Sequence, residues 1–162
     1  MNEEANPKLR KVSLTVIRVA ILAMIVVGID YVGDRLDWVR GESVPVTLAW
    51  IEGGQVSKGD YVVFEAQHPI INEGRPSHLT KQVACVAGES VHFDGEKFSC
   101  DGAVLGAVIR STSDGRPIAV AAVEGVIPAG KIFVMGTHPR SFDSRYLGLL
   151  DESKVQRVRP LL

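Results

Sequence analysis

The chain has 162 residues, 46% of them hydrophobic, with 18 Lys+Arg against 19 Asp+Glu and a formal net charge of -1. That length allows one domain of ordinary size plus an appendage and excludes a multidomain machine. Near-neutral charge and a pI of about 6.4 leave no electrostatic footprint for nucleic acid, whose phosphates call for clustered basic residues, so no nucleic-acid partner is expected.

The first predicted element is an apolar run, VSLTVIRVAILAMIVVGI, over residues 12–29. At 1.5 Å per residue it spans roughly 27 Å, close to the hydrocarbon thickness of a bilayer. Arg18 lies within two turns of its amino end and can snorkel to that interface, so its penalty is modest. A core helix would carry a polar stripe, which is missing after Arg18, and no Ala-x-Ala-like cleavage site follows the run. An uncleaved transmembrane anchor is therefore preferred to a core helix or a secretory signal. Lys8, Arg10 and Lys11 precede the run, whereas Asp30, Asp34 and Asp37 follow it. The positive-inside rule then places residues 1–11 in the cytoplasm and everything after the anchor across the membrane, with 30–40 as a juxtamembrane segment.

Beyond Arg40 no stretch sustains a helical period. YVVF at 61–64 follows the turn Ser57-Lys58-Gly59-Asp60, and KIFVMG at 131–136 follows Ile127-Pro128-Ala129-Gly130. LTKQVACVAG, VHF, KFSC and IAVAAV between them each suit a strand. Residues 41–162 are thus predicted to form a mainly β domain, a small barrel or folded sheet. Cys85 and Cys100 flank a hairpin turn at Asp94-Gly95-Glu96. In an oxidising compartment a disulfide between them would contribute about 3 kcal/mol, with two unpaired thiols as the alternative.

His68, His78, His92 and His138 lack paired ligand spacing, and with two cysteines a structural zinc site is not expected. No Gly-x-Ser-x-Gly elbow is present. Lys81 draws attention because strict alternation along Leu79-Lys81-Val83-Cys85-Ala87 puts it on the more apolar face, with Thr80, Gln82 and Ala84 opposite. Desolvation disfavours an ammonium there, and lowering a lysine from about 10.4 towards 7 takes roughly 4 to 5 kcal/mol. A neutral amine so placed can act as a general base, while a snorkelling strand-edge lysine is the plainer alternative. Further on, Gly136-Thr137-His138-Pro139-Arg140-Ser141-Phe142-Asp143-Ser144-Arg145-Tyr146-Leu147-Gly148 is dense in hydroxyls and paired charges. An extended backbone would set Ser141, Asp143 and Arg145 on one side, where carboxylate and guanidinium can pair.

With the anchor and the strand lysine, that last segment resembles the final conserved box of type I signal peptidases, Gly-Asp-Asn followed by Ser-x-Asp-Ser-Arg-Tyr-x-Gly. Ser43-Val44-Pro45 resembles the family's nucleophile box, residues 58–64 its second box and Lys81 through Gly88 its lysine box, in the family's order. The short domain and the form of the boxes look most like the TraF and TrhF group, signal-peptidase-like proteases of bacterial conjugative transfer. The resemblance implies a largely β catalytic domain on a membrane anchor and no cofactor. It implies Ser43 as nucleophile, Lys81 as general base, Ser141 as the hydroxyl that hydrogen-bonds the lysine, and Asp143 with Arg145 as a supporting ion pair. It also implies acyl-enzyme chemistry on a leader peptide or pilin precursor, with conjugative apparatus proteins and the lipid bilayer as partners, at the bacterial inner membrane with the domain periplasmic.

Two departures stand out. The family's second serine, two residues before the nucleophile, is replaced by Gly41, and the Asp-Asn of the last box by Thr137-His138. A non-catalytic scaffold that binds pilin or transfer-apparatus partners is the competing reading. A self-cleaving Ser/Lys repressor protease ranks last, since it should carry a DNA-binding domain in place of the anchor.

Overall fold

The fold comes from a computed structural model that describes residues 7–39 and 43–162, with side chains from Leu14 onward. The chain forms two units, one up to Leu36 and the other Asp37–Leu162. The first is a single helix, α1 (Pro7–Gly33), opening on a proline whose missing N–H costs nothing at a first helical position. It outruns the predicted 12–29 at both ends. Leu14–Gly33 has a mean hydropathy of 2.1 and none of it is buried against protein, so the helix is long and apolar enough to cross a membrane. Apolar side chains such as Met24 and Val27 project all round it, as suits a lipid rather than a one-sided protein core.

The second unit is mainly β. Its strands are β1 (Leu36–Trp38, beginning at the boundary residue), β2 (Leu48–Ile51), β3 (Tyr61–Ala66), β4 (Ser77–Val86), β5 (Ser90–Phe93), β6 (Lys97–Cys100), β7 (Ala103–Ala107), β8 (Gly125–Val126), β9 (Lys131–Met135), β10 (Leu150–Asp151) and β11 (Gln156–Pro160). A one-turn helix, α2 (Ser144–Leu147), lies between β9 and β10. One sheet has the order β1-β2-β11-β3-β4-β9-β10 and a smaller one β7-β6-β5-β8. The strands predicted at 61–64, 79–88 and 131–136 are present as β3, β4 and β9, with β4 starting two residues earlier and ending two earlier than expected, and so is the β5–β6 hairpin.

Three apolar clusters hold this unit together. Val62, Phe64, Val83, Ile132 and Val134 form one; Val39, Val44, Val46, Ala49, Val63 and Val158 a second; Cys85, Val91, Phe98, Cys100, Ile127, Phe133 and Met135 a third. The strict alternation expected along 79–87 fails. Val83 opposes Val134 but Cys85 opposes Phe133, a bulge that inserts one extra residue. Because Val134 and Phe133 are neighbours on β9 and face opposite ways, Val83 and Cys85 enter different cores. Lys81, opposite Val62, stays on the Val83 side.

Residues 118–123, IAVAAV, are not a strand. Val120 and Val123 pack on the third cluster, while Ala121 N–H goes to the Arg145 carbonyl and Ile118 N–H to Arg110, so apolar content is satisfied without a ladder. Cys85 and Cys100 sit as a disulfide with Cα atoms 6.0 Å apart, joining β4 to β6. Cys85→Ser with Cys100→Ser should lower stability by about 3 kcal/mol in urea unfolding, with no matching drop when wild type and variant are compared under a dithiol reductant.

Candidate active site

A cleft of about 710 Å³ is lined by Asp37, Trp38 and Val39, by Ser77 through Lys81, and by Ser43. Its shape follows from the ladder. β4 pairs with β3 from Ser77 to Gln82 but with β9 only from Gln82 onward, so among the described residues 77–81 keep one open edge. Asp37 faces that edge and accepts a hydrogen bond from Thr80 Oγ1 at 3.2 Å.

Lys81 is 1% exposed. Burial lowers its pKa from 10.5 to about 8; the Asp143 carboxylate pulls the other way and the Arg145 guanidinium adds to the lowering. Ser43 lies in an irregular bend before β2, with Val44 and Val46 of the next residues buried in the second cluster. Its carbonyl accepts from Thr137 N–H at 2.7 Å and from Thr137 Oγ1 at 3.3 Å. Gly41 lies outside the described residues, so the Ser-to-Gly departure has no structural reading.

The ladder ends with Gln82 against Met135, and Gly136 is the residue that follows it. A Cβ at Gly136 would overlap the Ser141 side chain and lie 2.8 Å from the Ser43 carbonyl oxygen. The Ser141 hydroxyl therefore fills the space that a side chain at position 136 would take. Ser141 is 3% exposed and its Oγ makes no hydrogen bond among the described residues, so the bond to Lys81 that the resemblance implies is not formed here. Thus the structure brings Ser43 and Ser141 around Gly136, while Ser43 and Lys81 line one cleft. Gly136→Ala should lower activity at least about 10²-fold, because displacing either neighbour moves a reacting group by an ångström or so. Steady-state kinetics with a thermal melt would check it: lost turnover with an intact fold is the expected result.

Asp143 and Arg145 are fully buried and paired twice, Nε to Oδ1 and Nη2 to Oδ2, both at 2.9 Å. The expected extended backbone is corrected here. Asp143 is the N-cap of α2 and accepts Arg145 N–H, and the arginine reaches Asp143 by folding back over the turn. Asp143 Oδ2 also accepts Gly136 N–H at 2.9 Å, while Arg145 donates to the carbonyls of Ser141, Ala107 and Pro139. The pair therefore fixes both Gly136 and the Ser141 loop. Hydrogen bonding to Asp143 holds the Arg145 proton against the desolvation that would release it, raising its pKa.

Three contributors escaped the sequence reading. Ser144 Oγ accepts Val134 N–H at 2.9 Å, Tyr146 OH accepts Ile109 N–H at 2.8 Å, and Thr137 grips Ser43. Ser144 and Tyr146, like Gly136, were legible as places in the last box, but their partners were not. The one group among the described residues with metal-ligand spacing is Cys85, Glu89 and Cys100, away from Ser43 in the third cluster, and its sulfurs are bonded to each other.

The family model described as signal peptidase, peptidase S26, matches residues 11–158. A crystal structure of a signal peptidase I from Enterococcus faecalis is 22% identical, with a TM-score of 0.43, covering 67% of this chain and 99% of that one. No curated protein matches.

Proposed function

The chain belongs to the signal peptidase S26 family, and from that premise we propose that it is a membrane-anchored Ser/Lys endopeptidase that cleaves leader peptides or processes a pilin precursor in conjugative transfer. The observation that supports the dyad is the burial of Lys81, with its lowered pKa, at a cleft that Ser43 also lines. A neutral Lys81 amine takes the Ser43 Oγ proton as the oxygen attacks the scissile carbonyl. The negative charge that develops on the carbonyl oxygen is met by the Ser43 N–H. The protonated lysine then returns its proton to the leaving amine, and water or an amine resolves the acyl-enzyme. Ser141 would orient the lysine through its otherwise unused hydroxyl.

The open edge of β4 at 77–81 supports substrate binding as an added strand, main chain to main chain. The basic residues before the apolar run of 12–29 and the acidic ones after it support a cytoplasmic amino terminus at the bacterial inner membrane, with the β unit periplasmic, where a Cys85–Cys100 disulfide would persist. The test is mass spectrometry of the mature pilin from cells with and without Ser43→Ala. Accumulated precursor in the variant is the expected result. Fully processed pilin and unchanged conjugation, with pilin still bound by the protein, would point to a non-catalytic scaffold.

A further inference from the structure

We propose that Thr137 is a positioning residue for Ser43, its amide and hydroxyl together holding the Ser43 carbonyl and so the aim of the serine; this rests on the dyad reading above. The backbone of Lys81 sits within a paired strand. Ser43 does not: residues 43–45 form bends outside any ladder. On the carboxyl side Val44 and Val46 are buried, but a plug in the core leaves the peptide unit of Ser43 free to rotate. What stops it is the paired contact from Thr137, at 2.7 Å from N–H and 3.3 Å from Oγ1, across 94 residues of sequence.

The clamp is itself built on rigid parts. Thr137 follows Gly136, whose N–H is tied to the buried Asp143 and whose lack of a side chain leaves room for the Ser43 carbonyl. Rotation about the Cβ-branched threonine χ1 is restricted, so the hydroxyl is held towards its acceptor. An amide bond alone tolerates swivelling about its axis; a second donor from the same residue fixes the plane. This is also where the chain departs from its family's last box, with Thr137-His138 in place of Asp-Asn.

The experiment compares full-length Thr137→Val, which keeps shape and loses the donor, with Thr137→Ser, which keeps the donor, on a precursor substrate in detergent. Thr137→Val should lower kcat about 3- to 10-fold, the range of one lost hydrogen bond, with KM within about twofold and an unchanged melting temperature. Thr137→Ser should restore kcat. Wild-type kcat in Thr137→Val, or an equal loss in Thr137→Ser, would overturn the inference. So would a loss confined to KM. Cleavage that survives Ser43→Ala in the same assay would instead overturn the dyad reading, and this inference with it.

Discussion

Lys81→Met is expected to abolish turnover and, at neutral pH, to make the protein more stable. The amine is 1% exposed among Val62, Val83 and other apolar groups, and burial lowers its pKa from 10.5 to about 8. Keeping a proton on it at pH 7 therefore costs the fold roughly 3 kcal/mol relative to an unfolded chain. Between pH 8 and 10.5 the unfolded state binds more protons than the native one, so wild-type stability rises with pH across that window. Methionine has similar length and no charge: the variant should melt higher at pH 7 and lack that rise. Loss of a general base should cost about 10²- to 10⁴-fold in kcat. Wild-type activity should climb as Lys81 deprotonates and level off above about pH 8. A buried lysine that is not the base would show the gain in stability without the loss of turnover, so thermal melts read beside activity and its pH profile decide the matter.

Arg145→Met should be the most destabilising single change in the site. It leaves the Asp143 carboxylate, 0% exposed, without its twofold partner, and an uncompensated buried charge costs about 3–5 kcal/mol. Its electrical effect is distinct from its structural one. The guanidinium lowers the Lys81 pKa and the carboxylate raises it, so removing the guanidinium moves the pH–activity midpoint upward. Asp143→Asn should move it downward. Opposite shifts in the two variants, read from kcat/KM against pH, would show that the pair acts on Lys81 as well as on the loop; equal shifts would reduce it to a strut.

The anchor helix and the long strands were legible because their signals are local. Residues 12–29 carry an unbroken apolar run, and β3, β4 and β9 carry β-branched residues after glycine turns. β11 was hidden by its polar, proline-ended QRVRP, since a strand set between β2 and β3 is defined by its partners more than by its own pattern. IAVAAV misled for the converse reason, being apolar without a ladder partner. The bulge after Val83 carries no glycine to announce it, yet it turns Cys85 away from the face of Lys81.

At the site, Asp-x-Arg was readable as a pair, but its helical turn and its hold on Gly136 were not. Ser43 and Lys81 came from resemblance; spacing alone left the lysine ambiguous between base and snorkelling strand residue. Thr137 was beyond reach, because its partner lies 94 residues away and nothing in its neighbours names Ser43.

The dyad is tested most directly by cleavage of a precursor by the purified full-length protein beside its Ser43→Ala and Lys81→Ala variants, each shown by thermal melt to be folded. Cleavage by the wild type alone is the predicted result; normal cleavage by either variant would contradict it.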